Sequence, residues 1–132
     1  MVFQEMDMST ITSSSSSALA ERVSKWIRDA FAAASVPTEM GPRLPEIFMN
    51  AGFPRPDMIA GQRVASGSES PGFAVMAGLV RSLLPVMERA NIVTAAEVDV
   101  DTLAERLRGE AIKNGEFVAY SPRLVGAWAR KG

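Results

Sequence analysis

The 132-residue chain contains no cysteine and no histidine. The first absence removes disulfides, thiolate nucleophiles and thiolate zinc sites. The second removes imidazole metal ligands and any histidine general base. Proton transfer is left to carboxylates, lysines, the one tyrosine and hydroxyls. A marked excess of one charge is missing too, with 14 basic and 15 acidic residues and a formal net charge of −1. No basic stripe suggests nucleic acid, and no acidic tail is present. Long hydrophobic runs are also lacking. The most apolar stretch, 71–86, contains Arg81 and Pro85 and is too short to cross a bilayer. The first residues show no charged start followed by an apolar core, so no secretory leader is expected. Neither a membrane nor a nucleic-acid partner is expected, and a cytoplasmic location fits.

A hydrophobic content of 47% and a charged content of 22% suit a globular domain with a sizeable core. Residues 1–8 begin with Val2 and Phe3 and read as a strand. Residues 9–17 are almost entirely Ser and Thr and read as a loop, with Ser17 as an N-cap. A helix is expected over 18–35, because Leu19, Val23, Trp26, Ile27, Ala30, Phe31 and Ala34 recur at three- and four-residue steps. A second, short helix is expected over 43–51, with Pro45 in its first turn and Gly52 stopping it. Residues 56–66 read as one strand.

Ser70-Pro71 opens a helix over 71–90, in which Pro85 predicts a kink. Thr94-Ala95-Ala96-Glu97 matches a capping box. Asp99 is expected to cap a helix over 99–114 that places Val100, Leu103, Leu107 and Ala111 inward and stops at Gly115. Residues 116–130 read as the last strand. Strands alternating with helices predict an α/β layered fold, and the length a single domain.

Ala51-Gly52-Phe53, the helix beginning Asp101-Thr102-Leu103-Ala104-Glu105-Arg106-Leu107, and the closing Val125-Gly126-Ala127-Trp128-Ala129-Arg130 together resemble the end of a class I S-adenosylmethionine-dependent methyltransferase. The resemblance implies the C-terminal half of a Rossmann-like fold, with about three strands and lid or insert helices. Residues 2–5 resemble the fifth strand of that fold, 44–53 the helix after it and 57–65 the sixth strand. Residues 118–129 resemble the seventh strand, inserted antiparallel between the fifth and sixth. The helices within 71–114 stand as an insertion.

The family's cofactor is S-adenosylmethionine, held by a Gly-rich turn after the first strand and an acidic residue ending the second. No G-x-G turn follows a strand in this sequence, so the resemblance implies that the cofactor-binding half is absent and that these residues bind no cofactor alone. It also implies a small-molecule methyl acceptor on this side of the fold. Glu5 and Asp7, at the end of the first strand, are candidates to orient an acceptor or accept its proton; solvated strand-end charges are the alternative. Trp26 and Phe31 are candidates to line a substrate pocket, with core packing as the alternative. Trp128, among small residues, is expected to pack against a helix. No catalytic or metal-binding residue is identified.

Three functions follow as expectations. The chain is the substrate-side portion of a methyltransferase, inactive alone; or a non-enzymatic helical interaction module built on 71–114; or a complementing subunit that docks on a cofactor-binding half. An unflanked apolar first strand favours self-association, or association with the missing half.

Overall fold

The structure, a computed structural model, describes residues 1–13, 17–115 and 118–132. It is a mixed α/β protein whose chain gathers into two compact units. The first comprises Met1–Thr12, Pro37–Val64 and Tyr120–Gly132; the second comprises Ser13–Val36 and Ala65–Ala119.

The first unit is built on a three-stranded sheet. Strand β1 (Val2–Asp7) and strand β3 (Asp57–Gly61) flank β6 (Arg123–Trp128), which is antiparallel to both. Helix α2 (Leu44–Asn50) covers one face. Side chains alternate across a strand, so Phe3, Val125 and Ala127 share the covered face. There Leu44, Phe48, Val125 and Ala127 form a buried cluster, and the Phe3 ring meets Phe48 edge-on at 6.4 Å. Gly41, in a 3₁₀ turn leading into α2, lies against Val125 so closely that a Cβ there would sit 2.7 Å from Val125 Cγ2.

Gly52 ends α2 for a backbone reason. Its φ of +82° lets the chain turn left-handed, and the Phe53 N–H then donates to the Phe48 carbonyl at 3.0 Å. The Phe48 and Phe53 rings close the turn at 6.0 Å.

The second unit is helical. Helices α1 (Ala18–Ala33), α3 (Gly72–Arg89) and α5 (Val100–Lys113) pack with α3 against both others. Leu19, Val23, Ile27 and Ala30 face inward from α1; Phe73, Ala77, Val80 and Met87 from α3; Leu103, Leu107 and Ala111 from α5. The short α4 (Ala95–Val98) carries the expected capping box: the Thr94 hydroxyl accepts from the Glu97 N–H, and the Glu97 carboxylate accepts from the Thr94 N–H.

The start of α1 is held from a distance. Ser17, 2% exposed, accepts the Ala20 N–H at 3.0 Å. Its hydroxyl donates to Glu110 on α5, 3.0 Å away, and that carboxylate also accepts the Leu19 N–H at 3.2 Å. The Leu19 N–H is the main reason the Glu110 carboxyl ionises below the ordinary range. Partial burial opposes it, and the Ser17 hydroxyl, the Ala18 N–H and the charge of Arg22 assist.

Several expected boundaries are corrected. Among the described residues there are six strands rather than about three. Residues 56–66 form two strands, β3 and β4 (Val64–Ser66), because Gln62 and Arg63 leave the ladder to bond Ser121. The terminal strand is also two, β5 (Val118–Tyr120) and β6, divided at Ser121-Pro122, where proline cannot donate to a ladder. Residues 116 and 117, expected in that strand, lie outside the described residues.

The expected Ser/Thr loop at 9–17 contains a 3₁₀ turn (Met8–Thr10) and strand β2 (Thr12–Ser13); residues 14–16 of it lie outside the described residues. Strands β2, β5 and β4 form a second small sheet in that order. Helix α3 continues through Pro85, an exposed position, where proline has no N–H to give the Arg81 carbonyl. Asp99 has φ +45° and takes the Thr102 hydroxyl at 2.8 Å instead of making a side-chain cap on the α5 backbone.

Two outcomes test this account. Gly41→Ala should cost about 1–3 kcal/mol in urea unfolding, and Val125→Ala should recover part of that loss, since the added methyl and the Val125 side chain compete for one space. For Glu110, the folded carboxyl holds its proton less tightly than the unfolded one, so its contribution is complete at neutral pH and is lost as the pH falls through the folded value. The stability gap between the wild type and Glu110→Gln should therefore be widest at neutral pH and shrink in acid.

Candidate functional site

Strands β1 and β3 both run opposite to β6, so they are parallel to each other and their carboxyl ends lie at one end of the sheet. A polar cluster gathers there. The Asp7 carboxylate, 7% exposed, accepts the Ser9 N–H at 3.1 Å and the Ser9 hydroxyl at 2.5 Å. The Thr10 hydroxyl donates to the Asp7 carbonyl and accepts the Arg123 N–H, each at 2.7 Å. The Gln62 amide donates to the Thr10 and Ser121 carbonyls at 3.1 and 2.7 Å, and the Arg63 N–H donates to the Ser121 hydroxyl at 3.0 Å.

This arrangement decides what Asp7 does in the described structure. Its carboxylate caps the Met8–Thr10 turn, an Asx-type arrangement that ends the strand. Asp7 is thus a buried, hydrogen-bonded group and not a solvated strand-end charge. Glu5 lies on the same face two residues earlier, opposite Val125, and is half-buried. The other two candidates belong to the helical unit. Trp26 and Phe31 are each half-buried on α1. Five residues apart, they point about 140° away from each other around the helix axis, so they do not form one wall of a pocket. Trp128, expected to pack against a helix, is 42% exposed, because it pairs with Val2 on the sheet face opposite α2.

Gln62, Ser121 and Thr10 were not candidates from the sequence. Their signal is that Gln62-Arg63 and Ser121-Pro122 interrupt two apolar runs at facing positions, which only the strand pairing reveals.

The cluster does not fit S-adenosylmethionine. The turn after β1 is Met8-Ser9-Thr10, without glycine, and its acidic residue is already engaged by Ser9. Among the described residues, no group of three acidic side chains could hold a metal ion, and no helix is long and apolar enough to cross a membrane. A shallow depression on the helical unit is lined by Glu88, Asn91, Ile92, Val93, Thr94 and Glu97, but Thr94 and Glu97 are committed to the capping box. Compared with known proteins, the chain matches no family model and no curated protein.

If Asp7 acts through its cap, Asp7→Asn should retain most of the stability, because the amide oxygen still accepts the Ser9 N–H. Asp7→Ala should lose about 1 kcal/mol. Paired thermal or urea unfolding curves measure both.

Proposed function

We propose that these residues form the substrate-side portion of a methyltransferase of the class I, S-adenosylmethionine-dependent type, acting on a small molecule, with the methyl donor held by residues other than these. The observation that carries this reading is the order β1-β6-β3. A last strand lying antiparallel between two mutually parallel ones is what the resemblance implies for the end of that fold. Helix α2 supports it from the next position along, since it covers the sheet between β1 and β3 and stops at Ala51-Gly52-Phe53. The carboxyl ends of β1 and β3 are where an acceptor would be met, with Glu5 and Asp7 nearby. A cytoplasmic setting belongs to the same proposal.

A second reading has its own observation. Helices α3 and α5, within 71–114, bury Phe73, Val80, Met87, Leu103 and Leu107, as a helical interaction module built there would. In the first reading the same helices are the lid and insert.

Isothermal titration of the 132-residue chain with S-adenosylmethionine separates part of this. No binding in the micromolar range is expected. Micromolar binding would show a donor site among these residues and overturn the assignment of the donor to others.

A further inference from the structure

The face of the sheet opposite α2 carries Val2, Met6, Ile59, Leu124 and Trp128. The register places them together: Val2 is opposite Trp128, Met6 is opposite Leu124, and Ile59 pairs with Gly126 between them. A Cβ at Gly126 would lie 3.5 Å from Ile59 Cγ2, as expected for neighbours on one face. We propose that this face is a self-association surface, on which a second copy of the chain packs its own open sheet face.

Three observations select that occupant. The first is area. The five side chains are 78, 51, 66, 42 and 42% exposed in the order named. Together they leave about 500 Å² of apolar surface, interrupted by the exposed Gln4 opposite Gly126, near the upper end of what monomers show. Two such faces bring together about 1,000 Å², the size at which a specific interface becomes sustainable. The second is charge. Asp57, at one corner, is the only charged residue in register on this face, so nothing on it selects a charged partner, and two copies meet with little repulsion. The third is shape. Gly61 and Gly126 leave hollows beside Ile59, and a Cβ at Gly61 would meet nothing within 4 Å, so the face offers both protrusions and recesses to a copy of itself.

The outer edge of β1 is a poorer surface for a copy. Asp7 bridges to Glu39 and the Met8 N–H donates to the Thr38 carbonyl at 2.8 Å, so one end of that edge is already taken. Face-to-face packing of two sheets, about 10 Å apart, needs no free edge. The inference goes beyond the methyltransferase reading and does not depend on it.

Sedimentation of the 132-residue chain across the micromolar range tests it. A monomer–dimer equilibrium is expected, with its midpoint in that range. Ile59→Gln and Leu124→Gln, both at exposed positions, should raise the dissociation constant at least tenfold while the circular dichroism spectrum stays unchanged. Val75→Gln, at an exposed apolar position on α3 in the other unit, should leave it unaltered. A chain that stays monomeric throughout, one that grows beyond dimers, or a dimer indifferent to Ile59 and Leu124 would overturn the proposal.

Discussion

The sheet unit depends on β6 pairing along both of its edges. Val125 and Ala127 can be buried under α2 only because β1 and β3 hold β6 in one register, which directs alternate side chains of all three strands to the same side. A one-residue slip would send Val125 and Ala127 to the open face and bring Leu124, Gly126 and Trp128 under the helix. Gly41 adds a steric condition, since its missing side chain leaves room for Val125. The sheet also unites segments far apart in sequence, with Val2 opposite Trp128 and Asp57 opposite Trp128 on the other side. Non-local closure of this kind costs loop entropy before it yields contacts.

The helical unit solves a different problem. The first N–H groups of α1 would lack partners, and Ser17 alone can satisfy few of them. Glu110, 93 residues away from Ser17, supplies a carboxylate to the same helix start. One side chain therefore ties α5 to α1 while it completes a cap. On α5, Arg108 lies over the Phe73 ring at 5.8 Å and donates to the Ser68 carbonyl at 2.8 Å, which fixes the turn before α3. These contacts sit where a helix begins or a loop turns.

Helices were legible in the sequence because their signals are local. Leu19, Val23, Ile27 and Ala30 show their spacing without any partner, and Thr94 with Glu97 announces a capping box in four residues. Strands were legible in place but not in extent. Gln62 and Ser121 end β-ladders by bonding to and across each other, a relation that no single window contains. Trp128 reads as core beside Val125 and Ala127, yet period-two alternation sends it to the opposite face, and which face α2 covers is a tertiary fact. Asp7 was found as a strand-end carboxylate; that Ser9 engages it depends on the backbone turning immediately after it.

The Ala51-Gly52-Phe53 turn shows how far a motif can carry identity. Its glycine answers a positive φ, and its phenylalanine both donates to the Phe48 carbonyl and packs on the Phe48 ring. Any helix ending in this way favours glycine followed by an apolar residue, so the motif reports a helix stop before it reports a family. The order of β1, β6 and β3 is a stronger discriminator. A chain that merely alternates strands and helices tends to pair sequential neighbours, whereas here β6 is placed between strands whose own segments lie some 50 residues apart. In the reading proposed above, the weight therefore belongs on the strand order. The residues at the carboxyl ends of β1 and β3 inherit their interest from that order, since the hydrogen bonds of Asp7, Gln62 and Arg63 already account for these three as structure.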